Sequence, residues 1–227
     1  MNILLEMKNI TKKFEENIVV DDISFQVKEN SIVGLIGVNG SGKSTIMKLI
    51  ANLYKPTSGT IIYKGKELHK KNLSEMGFLI ENPAIYGGLS AYDNLKVKAI
   101  LLDIEESRIQ EILNLVGLKD TGNKKAGKFS LGMKQRLGIG LALLDDPKLL
   151  ILDEPTNGLD PLGIIGLRKM IKSMPEEGKT VIISSHSLQE LHNITDTIIM
   201  INKGKIIYDG KIDSDKDLEK LFLKLME

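Results

Sequence analysis

A glycine-rich run near the start of the chain has the residue types of a phosphate-binding loop. Residues 37–44 fit the pattern G-x-x-x-x-G-K-[ST] without a gap. The glycines let successive backbone N–H groups turn toward phosphate oxygens, and the helix that follows offers its positive N-terminus to the same anion. We expect Lys43 to neutralise the β- and γ-phosphates of a nucleotide and the Ser44 hydroxyl to bind Mg²⁺. The loop comprises Gly37, Val38, Asn39, Gly40, Ser41, Gly42, Lys43, Ser44 and Thr45.

Two adjacent acids close a second apolar segment. Asp153 and Glu154 follow the aliphatic run Leu149–Leu152, which predicts a buried strand. Ligands of α/β sheets gather at the carboxyl ends of the strands. We therefore expect Asp153 in the metal shell and Glu154 polarising an attacking water, a general-base role worth ~10²–10⁴ in rate. A pair of ordinary loop acids is the weaker alternative, because the same chain holds the phosphate-binding loop.

Two other polar residues occupy positions from which they could contact phosphate. His186 follows a third buried strand, TVIISS, so its imidazole could donate to a γ-phosphate at the same sheet edge. Ser130 precedes a predicted helix with Gly132 near its start, where hydroxyl, free N–H groups and dipole could hold another phosphate. An ordinary N-cap is the commoner explanation of such a serine. His69 and His192 lack this placement, and we expect both at the surface.

A third acid, Glu81, also follows a short apolar strand. In the stretch FLIENP the chain leaves this strand through Asn82-Pro83. The simplest interpretation is a hydrated loop end, whereas the sharper one is a contact with a metal or with a water at the phosphate site. A carboxylate is a hard, anionic oxygen ligand that suits Mg²⁺.

The hydrophobic pattern predicts the elements that must position these residues. Strands alternate with helices, which indicates a largely parallel sheet covered on both faces. We interpret the chain as a single domain, with an α/β core in 1–81 and 147–227 and an inserted helical subdomain in 82–146. Strands are expected at 3–10, 18–27, 31–37, 60–68, 148–155 and 180–186 and in a hairpin turning at 203–204, and helices at 46–54, 93–102, 107–116, 131–144, 161–174 and 214–227.

Composition excludes several classes of function. The 31 Lys and Arg residues nearly balance the 30 Asp and Glu residues, which argues against a dedicated nucleic-acid surface. The absence of cysteine excludes disulfides, thiolate metal sites and cysteine nucleophiles. No stretch approaches the ~20 apolar residues needed to cross a bilayer, and the N-terminus lacks the features of a secretory signal. We therefore expect a cytosolic chain that reaches a membrane only through other subunits.

Together, these motifs resemble the ATP-binding subunits of ATP-binding cassette (ABC) transporters over nearly the full chain. Gly37–Thr45 matches the Walker A loop, and Leu149–Glu154 matches Walker B with its catalytic glutamate. Phe129–Met133 stands at the signature position, normally L-S-G-G-Q. Gly158–Asp160 matches the D-loop and His186 the switch histidine. The shared order and spacing leave little room for a chance match.

The resemblance implies a fold, two cofactors and a set of partners. The fold is a P-loop NTPase (RecA-like) α/β core with an antiparallel β subdomain and the inserted helical subdomain. The cofactors are ATP and Mg²⁺, with Phe14 stacking on adenine. Head-to-tail dimerisation with a second copy would clamp ATP between Walker motifs and signature, and two membrane permease subunits would hold the chain peripherally at the cytoplasmic face of the membrane. No nucleic acid is expected. The remaining implied positions are Ser44, Glu81 and Asp153 for the metal, Ser130, Leu131, Gly132 and Met133 for the partner copy's ATP, and Asp160 for the dimer interface.

Two departures from the family pattern narrow the resemblance. Leu131 and Met133 replace a glycine and the glutamine of the signature, whereas Ser130 and Gly132 remain, so we expect activity to be retained. The family has glutamine at the position of Glu81. A carboxylate there adds negative charge near the γ-phosphate and should increase dependence on bound metal. A glutamate at position 81 together with this altered signature resembles the ATPases of lantibiotic immunity and bacitracin-type resistance exporters. The chain length favours the lantibiotic type.

The expected function is therefore ATP hydrolysis in an exporter that confers immunity or resistance to lantibiotic-type peptides. An ABC ATPase for another cargo, such as bacitracin, is one alternative. A soluble ABC ATPase of repair, translation or cofactor assembly is another. The lack of sustained heptads in 82–146 counts against repair, and the single phosphate-binding loop counts against translation. A cofactor-assembly factor stays open, whereas a small-molecule kinase would leave the signature and His186 unexplained.

Overall fold

The computed structural model describes residues 2–192 and 194–211, which form two sheets and the helices around them. The strands are β1 (Ile3–Phe14), β2 (Asn17–Lys28), β3 (Ile32–Ile36), β4 (Ser58–Tyr63), β5 (Lys66–Glu67), β6 (Met76–Leu79), β7 (Leu149–Leu152), β8 (Thr180–Ser185), β9 (Thr197–Asn202) and β10 (Lys205–Lys211). The α-helices are α1 (Lys43–Ile50), α2 (Ala91–Leu102), α3 (Glu106–Leu115), α4 (Leu131–Leu143), α5 (Pro161–Ser173) and α6 (Leu188–His192).

The larger sheet has six strands in the order β10-β9-β3-β8-β7-β6. All of its pairings are parallel except that of β10 with β9. Strands β3, β7 and β8 are buried along their whole length, as expected for aliphatic strands that are covered on both faces. Because the strands are parallel, the segments after β3, β6, β7 and β8 all leave from the same edge of the sheet. The predicted site residues follow these strands.

The smaller sheet is antiparallel, with four strands in the order β2-β1-β4-β5. Buried and exposed residues alternate through the second half of β2, as in a strand with one face on the core. Its inner face shares a hydrophobic cluster with α1 and with one face of the larger sheet, including Leu5, Met7, Ile46 and Ile182. The predicted combination of a P-loop α/β core with an antiparallel β layer is thus confirmed.

Helices α2, α3 and α4 lie between β6 and β7 in the chain. They share a second cluster with the opposite face of the large sheet, including Leu95, Ile112 and Leu137. Helix α4 also touches β6 directly, because a Cβ atom added at Gly77 would lie 2.0 Å from the carbonyl oxygen of Ala142. Only glycine allows this approach of helix and strand. The boundaries predicted for an inserted subdomain at 82–146 stay a prediction.

Two cations bind the C-terminal end of α4. The Lys98 ammonium donates to the carbonyl oxygen of Leu141 at 2.7 Å. The Arg108 guanidinium donates to the carbonyl oxygens of Leu143 and Leu144 at 3.3 and 3.4 Å. The last carbonyls of a helix have no partner within it and carry partial negative charge, so cations from α2 and α3 stabilise this end. The contacts therefore join the three helices.

Most predicted elements are confirmed, with shifted boundaries. The helix expected at 46–54 instead starts at Lys43, inside the phosphate-binding loop, and ends at Ile50. Asn52 adopts a left-handed φ of 54°, which prevents continuation of the helix to position 54. The strand expected at 60–68 is divided into β4 and β5 by a turn. The helix expected at 214–227 lies outside the described residues. Within the described ranges, no helix combines the length and apolar character needed to span a membrane.

Candidate active site

The phosphate-binding loop joins β3 to α1. Gly42 has a φ of 114°, a conformation that strongly favours glycine, and it leads directly into the first turn of α1. A Cβ atom at Gly37 would lie 2.3 Å from the carbonyl oxygen of Ile201, so this position also has no room for a side chain. No side chain caps the N-terminus of α1. The backbone N–H groups at this end therefore stay available for an anion.

Lys43 is buried beneath this loop. Its ammonium donates to the carbonyl oxygens of Gly37 at 2.7 Å and Val38 at 3.2 Å, and it lies 3.9 Å from Glu154 Oε1. Burial lowers the pKa of Lys43, while the carboxylates of Glu154 and Asp153 act in the opposite direction. The ammonium thus lies between the loop and the two acids that follow β7.

A cleft of about 180 Å³ opens between the loop and these acids. Six of the nine predicted loop residues and both acids line this cleft, although loop and acids are separated by more than a hundred positions in the chain. Gly37, Val38 and Ser41 are not among its lining residues. The residues that line the cleft are Val19, Asn39, Gly40, Gly42, Lys43, Ser44, Thr45, Asp153 and Glu154.

Glu154 is held on several sides. Its φ of 46° is left-handed, and its backbone N–H donates to Ser184 Oγ at 2.8 Å. His186 Nδ1 lies 2.8 Å from Glu154 Oε2, and the imidazole is the donor because a carboxylate only accepts. The other carboxylate oxygen, Oε1, is buried and has no hydrogen-bond partner among the described residues. This oxygen lies 3.9 Å from the Lys43 ammonium, so its negative charge faces the loop lysine.

Asp153 is almost fully buried, and its Oδ1 accepts a hydrogen bond from Ser184 Oγ at 2.5 Å. In the described part of the chain, no three His, Asp or Glu side chains cluster closely enough to form an all-protein metal cage. Mg²⁺ does not require one, since it usually binds one or two carboxylates, water and substrate phosphates. The Ser44 hydroxyl and the Asp153 carboxylate on one cleft fit such an open site.

Glu81 lies outside this cleft. Its side chain is 56% exposed, and its Oε1 is 2.5 Å from the ammonium of Lys48 on α1. The hydrogen bond from Lys48 to Glu81 raises the pKa of Lys48. In this structure Glu81 therefore pairs with a lysine of α1 and does not line the cleft, and its predicted contact with a metal stays a prediction.

Phe14 ends β1 and belongs to a small aromatic group. Its ring is 5.1 Å from that of Tyr54, in an edge-to-face arrangement. The Lys12 ammonium lies 4.8 Å from the centroid of Phe14, and the Lys48 ammonium lies 5.6 Å from the centroid of Tyr54. The sequence pattern placed Tyr54 in a helix and did not identify it as a neighbour of Phe14.

The signature residues and Asp160 lie close together, and none of them lines the cleft. Ser130 caps α4, with its Oγ accepting from the backbone N–H of Met133 at 3.2 Å, so the predicted N-cap is confirmed. Leu131 is 59% exposed. A Cβ atom at Gly132 would lie 2.6 Å from the carbonyl oxygen of Gly158, so the signature contacts the D-loop directly. Asp160 caps α5 and pairs with Arg136 at 3.2 Å.

Sequence reasoning missed several polar residues around the site. Ser184 contacts both acids, as described above. Gln135 of α4 is buried and reaches the carbonyl oxygen of Glu154 at 3.4 Å. Glu190 accepts hydrogen bonds from Thr156 at 2.8 Å and Ser185 at 2.9 Å. For Ser184, the signal in the sequence was a pair of serines that follow the aliphatic residues of the predicted strand and precede His186.

Comparison with known proteins identifies the family. The family model described as "ABC transporter" matches residues 20–157, which is more than half of the chain. This chain belongs to the ABC transporter ATP-binding family. The cassette is an ATPase with the fold of that family, and the predicted resemblance and enzyme class are thus confirmed.

The cassette has close relatives among transport proteins of bacteria. It is 46% identical over 219 residues to the lantibiotic transport ATP-binding protein SrtF of Streptococcus pyogenes, covering 96% of each chain. It is 40% identical over 229 residues to the bacitracin transport ATP-binding protein BcrA of Bacillus licheniformis, covering 99% of this chain and 75% of BcrA.

Solved structures agree with this assignment. The ATP-binding subunit of an ABC transporter superimposes on the cassette with a TM-score of 0.89 at 28% identity, over 99% of this chain and 100% of the other. A dimeric cassette in a post-hydrolysis state, bound to ADP and phosphate, gives a TM-score of 0.84 at 26% identity, over 93% of this chain and 100% of that one.

Proposed function

We propose that the cassette is the ATP-hydrolysing subunit of an exporter that protects cells from lantibiotic-type antimicrobial peptides. The observation that carries the choice of cargo is the 46% identity to SrtF along 96% of both chains. The identity to BcrA supports bacitracin as a second candidate cargo, but the match spans 75% of BcrA. Glu81 and the S-L-G-M signature point to the same two groups of exporters.

The proposed roles of the cleft residues follow from their positions. Lys43 and the N–H groups of the loop bind the β- and γ-phosphates, and Phe14 stacks on the base. Glu154 orients the attacking water, and His186 holds its carboxylate through Oε2. Ser44 and Asp153 would hold Mg²⁺, with Glu81 a further candidate. When bound, Mg²⁺ neutralises charge on the phosphate oxygens.

A second copy completes the proposed site. The cleft includes none of the signature residues, and Ser130 and Leu131 are exposed. In a head-to-tail dimer, the N-terminus of α4 in one copy would contact the ATP of the other, with Asp160 at the interface. The dimeric relative bound to ADP and phosphate supports this arrangement.

We further propose two membrane permease subunits as partners, contacting the helical segment 82–146. A groove of about 270 Å³ lies between β6, α2 and α4, and Leu101 beside it is 77% exposed. Binding there would hold the cassette peripherally at the cytoplasmic face of the membrane.

A soluble cofactor-assembly role is the alternative. Recovery of the tagged cassette from cells only with soluble partners, and never with integral membrane proteins, would contradict the exporter.

The cargo is tested by expressing the cassette with its permease subunits in a sensitive bacterial host. We expect the inhibitory concentration of a lantibiotic to rise with the wild-type cassette and not with Glu154→Gln. Bacitracin is measured in parallel. Protection against bacitracin alone would reject the lantibiotic cargo in favour of the second candidate.

A further inference from the structure

Ser184 is a polar residue inside a strand that is buried along its whole length. The residue has 0% exposure, so its hydroxyl must find partners within the protein. It finds two: Oγ donates to Asp153 Oδ1 at 2.5 Å and accepts from the backbone N–H of Glu154 at 2.8 Å. One hydroxyl therefore connects the end of β8 to both acids that follow β7.

These two bonds act on the features that the proposed chemistry needs. A hydrogen bond to an ionised carboxylate is short and strong, so the Asp153 side chain is fixed in one orientation. Among the described residues, its other oxygen, Oδ2, has no hydrogen-bond partner, and Asp153 lines the cleft, which leaves Oδ2 for a metal ion. The second bond holds the N–H of Glu154, whose left-handed φ needs support from its surroundings.

The neighbouring Ser185 offers an internal comparison. It is equally buried, at 1% exposure, but successive side chains of a strand point to opposite faces of the sheet. Its hydroxyl donates to Glu190 and accepts from the backbone N–H of Ser187, and it contacts neither acid. The two serines thus share residue type, strand and burial, and differ in whether they reach Asp153.

We propose that Ser184 is a positioning residue for nucleotide-bound Mg²⁺: it fixes Asp153 so that one carboxylate oxygen faces the cleft, and it holds the Glu154 backbone beside it. The inference rests on the proposed role of Asp153 at the metal. Removal of a hydrogen bond behind a metal ligand typically lowers metal affinity about 10–100-fold.

The test measures binding of a fluorescent ATP analogue to the purified full chain, once with EDTA and once with excess Mg²⁺. The quantity of interest is the dissociation constant in EDTA divided by the dissociation constant in Mg²⁺. This ratio isolates the contribution of the metal and exceeds one when Mg²⁺ strengthens binding. For Ser184→Ala we expect the ratio to fall toward one while the constant in EDTA stays within twofold of wild type. Ser185→Ala is the matched control and should keep the wild-type ratio, and Ser184→Thr, which retains a hydroxyl, should keep most of it.

Two outcomes would overturn the proposal. One is a wild-type ratio in folded Ser184→Ala, and the other is an equal loss in Ser185→Ala, which would indicate a general effect of damage to β8. Folding is checked by thermal unfolding. If Ser184→Ala does not fold, Ser184→Cys replaces it, since a thiol is a weak donor of similar size, and an undiminished ratio there would also reject the proposal. A wild-type chain that binds no nucleotide under either condition would instead contradict the proposed function.

Discussion

Glu81 and Glu154 occupy matching positions on neighbouring strands. In the parallel pair β6–β7, Leu79 is in register with Leu152, and each strand is followed two residues later by a glutamate. Both glutamates adopt left-handed φ angles, 59° and 46°. Their surroundings differ: the side chain of Glu154 is 18% exposed, and that of Glu81 is 56% exposed.

The difference separates a fixed acid from one that can change partners. Glu154 contacts His186, Ser184 and Gln135, which lie on different elements, so its position is determined before any ligand binds. Glu81 has one ion pair, with Lys48, in largely solvated surroundings. An exposed pair of this kind is worth about 0–1 kcal/mol, a contribution that a ligand or partner could readily outweigh. A fixed acid suits catalysis, whereas a loosely held one suits a response to nucleotide or permease.

The largest expected effect comes from the fixed acid. Glu154→Gln keeps the size of the side chain and removes its capacity as a base, so we expect ATP turnover to fall by ~10²–10⁴. Binding of the ATP analogue should be retained, because the phosphate-binding loop is intact. Steady-state phosphate release and analogue binding are the two measurements. If this variant hydrolyses ATP at the wild-type rate, Glu154 is not the catalytic base.

A smaller effect is expected from the exposed acid. Glu81→Gln removes one negative charge, so we expect ATP binding to persist and the Mg²⁺ concentration for half-maximal turnover to change by about two- to tenfold, as for loss of roughly 0.4–1.4 kcal/mol. The measurement is a Mg²⁺ titration of ATP hydrolysis. Glu67→Gln, on the exposed strand β5, is the charge-matched control. Superimposable curves for wild type and Glu81→Gln would show that Glu81 does not act on the metal.

The smallest effect concerns the ion pair itself. Lys48→Met should lower the free energy of unfolding by about 0.2–1 kcal/mol near neutral pH. The pKa of Lys48 is raised above its ordinary value of 10.5 by Glu81, so this stabilisation is complete below that pH and is lost as pH rises through the higher, folded-state value. Urea unfolding of both proteins at neutral pH and above pH 11 checks the sign. A difference that grows in alkali would contradict the pairing.

The sequence was most informative where function depends on a continuous motif. The loop from Gly37 to Thr45 and the acids after β7 were placed correctly at the sheet edge, because residue type, local pattern and strand direction suffice to locate them. The antiparallel layer and the order of the helices also followed from periodicity and from the family resemblance. These features can be predicted without knowing which side chains, distant in the sequence, come into contact in the fold.

The partners of these motifs could not be predicted in the same way. Lys48 and Glu81 are 33 positions apart, and Ser184 and Asp153 are 31 apart, so their contacts depend on strand order and side-chain rotamers. Tyr54 was assigned to a helix that the left-handed Asn52 interrupts. The expectation that Glu81 contacts a metal rested on its place at a strand end, on the suitability of carboxylates for Mg²⁺ and on the family position. None of these signals identified Lys48 on α1, which pairs with the same carboxylate.

Helix α4 is fixed at its C-terminal end by the cations from α2 and α3 and by its close approach to Gly77. Its N-terminal end carries Ser130, 13 helical residues away, or about 20 Å at 1.5 Å per residue. That end packs against the D-loop at Gly158. A rotation of α4 by about 10° about its C-terminal end would move Ser130 by about 3.5 Å, enough to break a hydrogen bond made there or to form a new one.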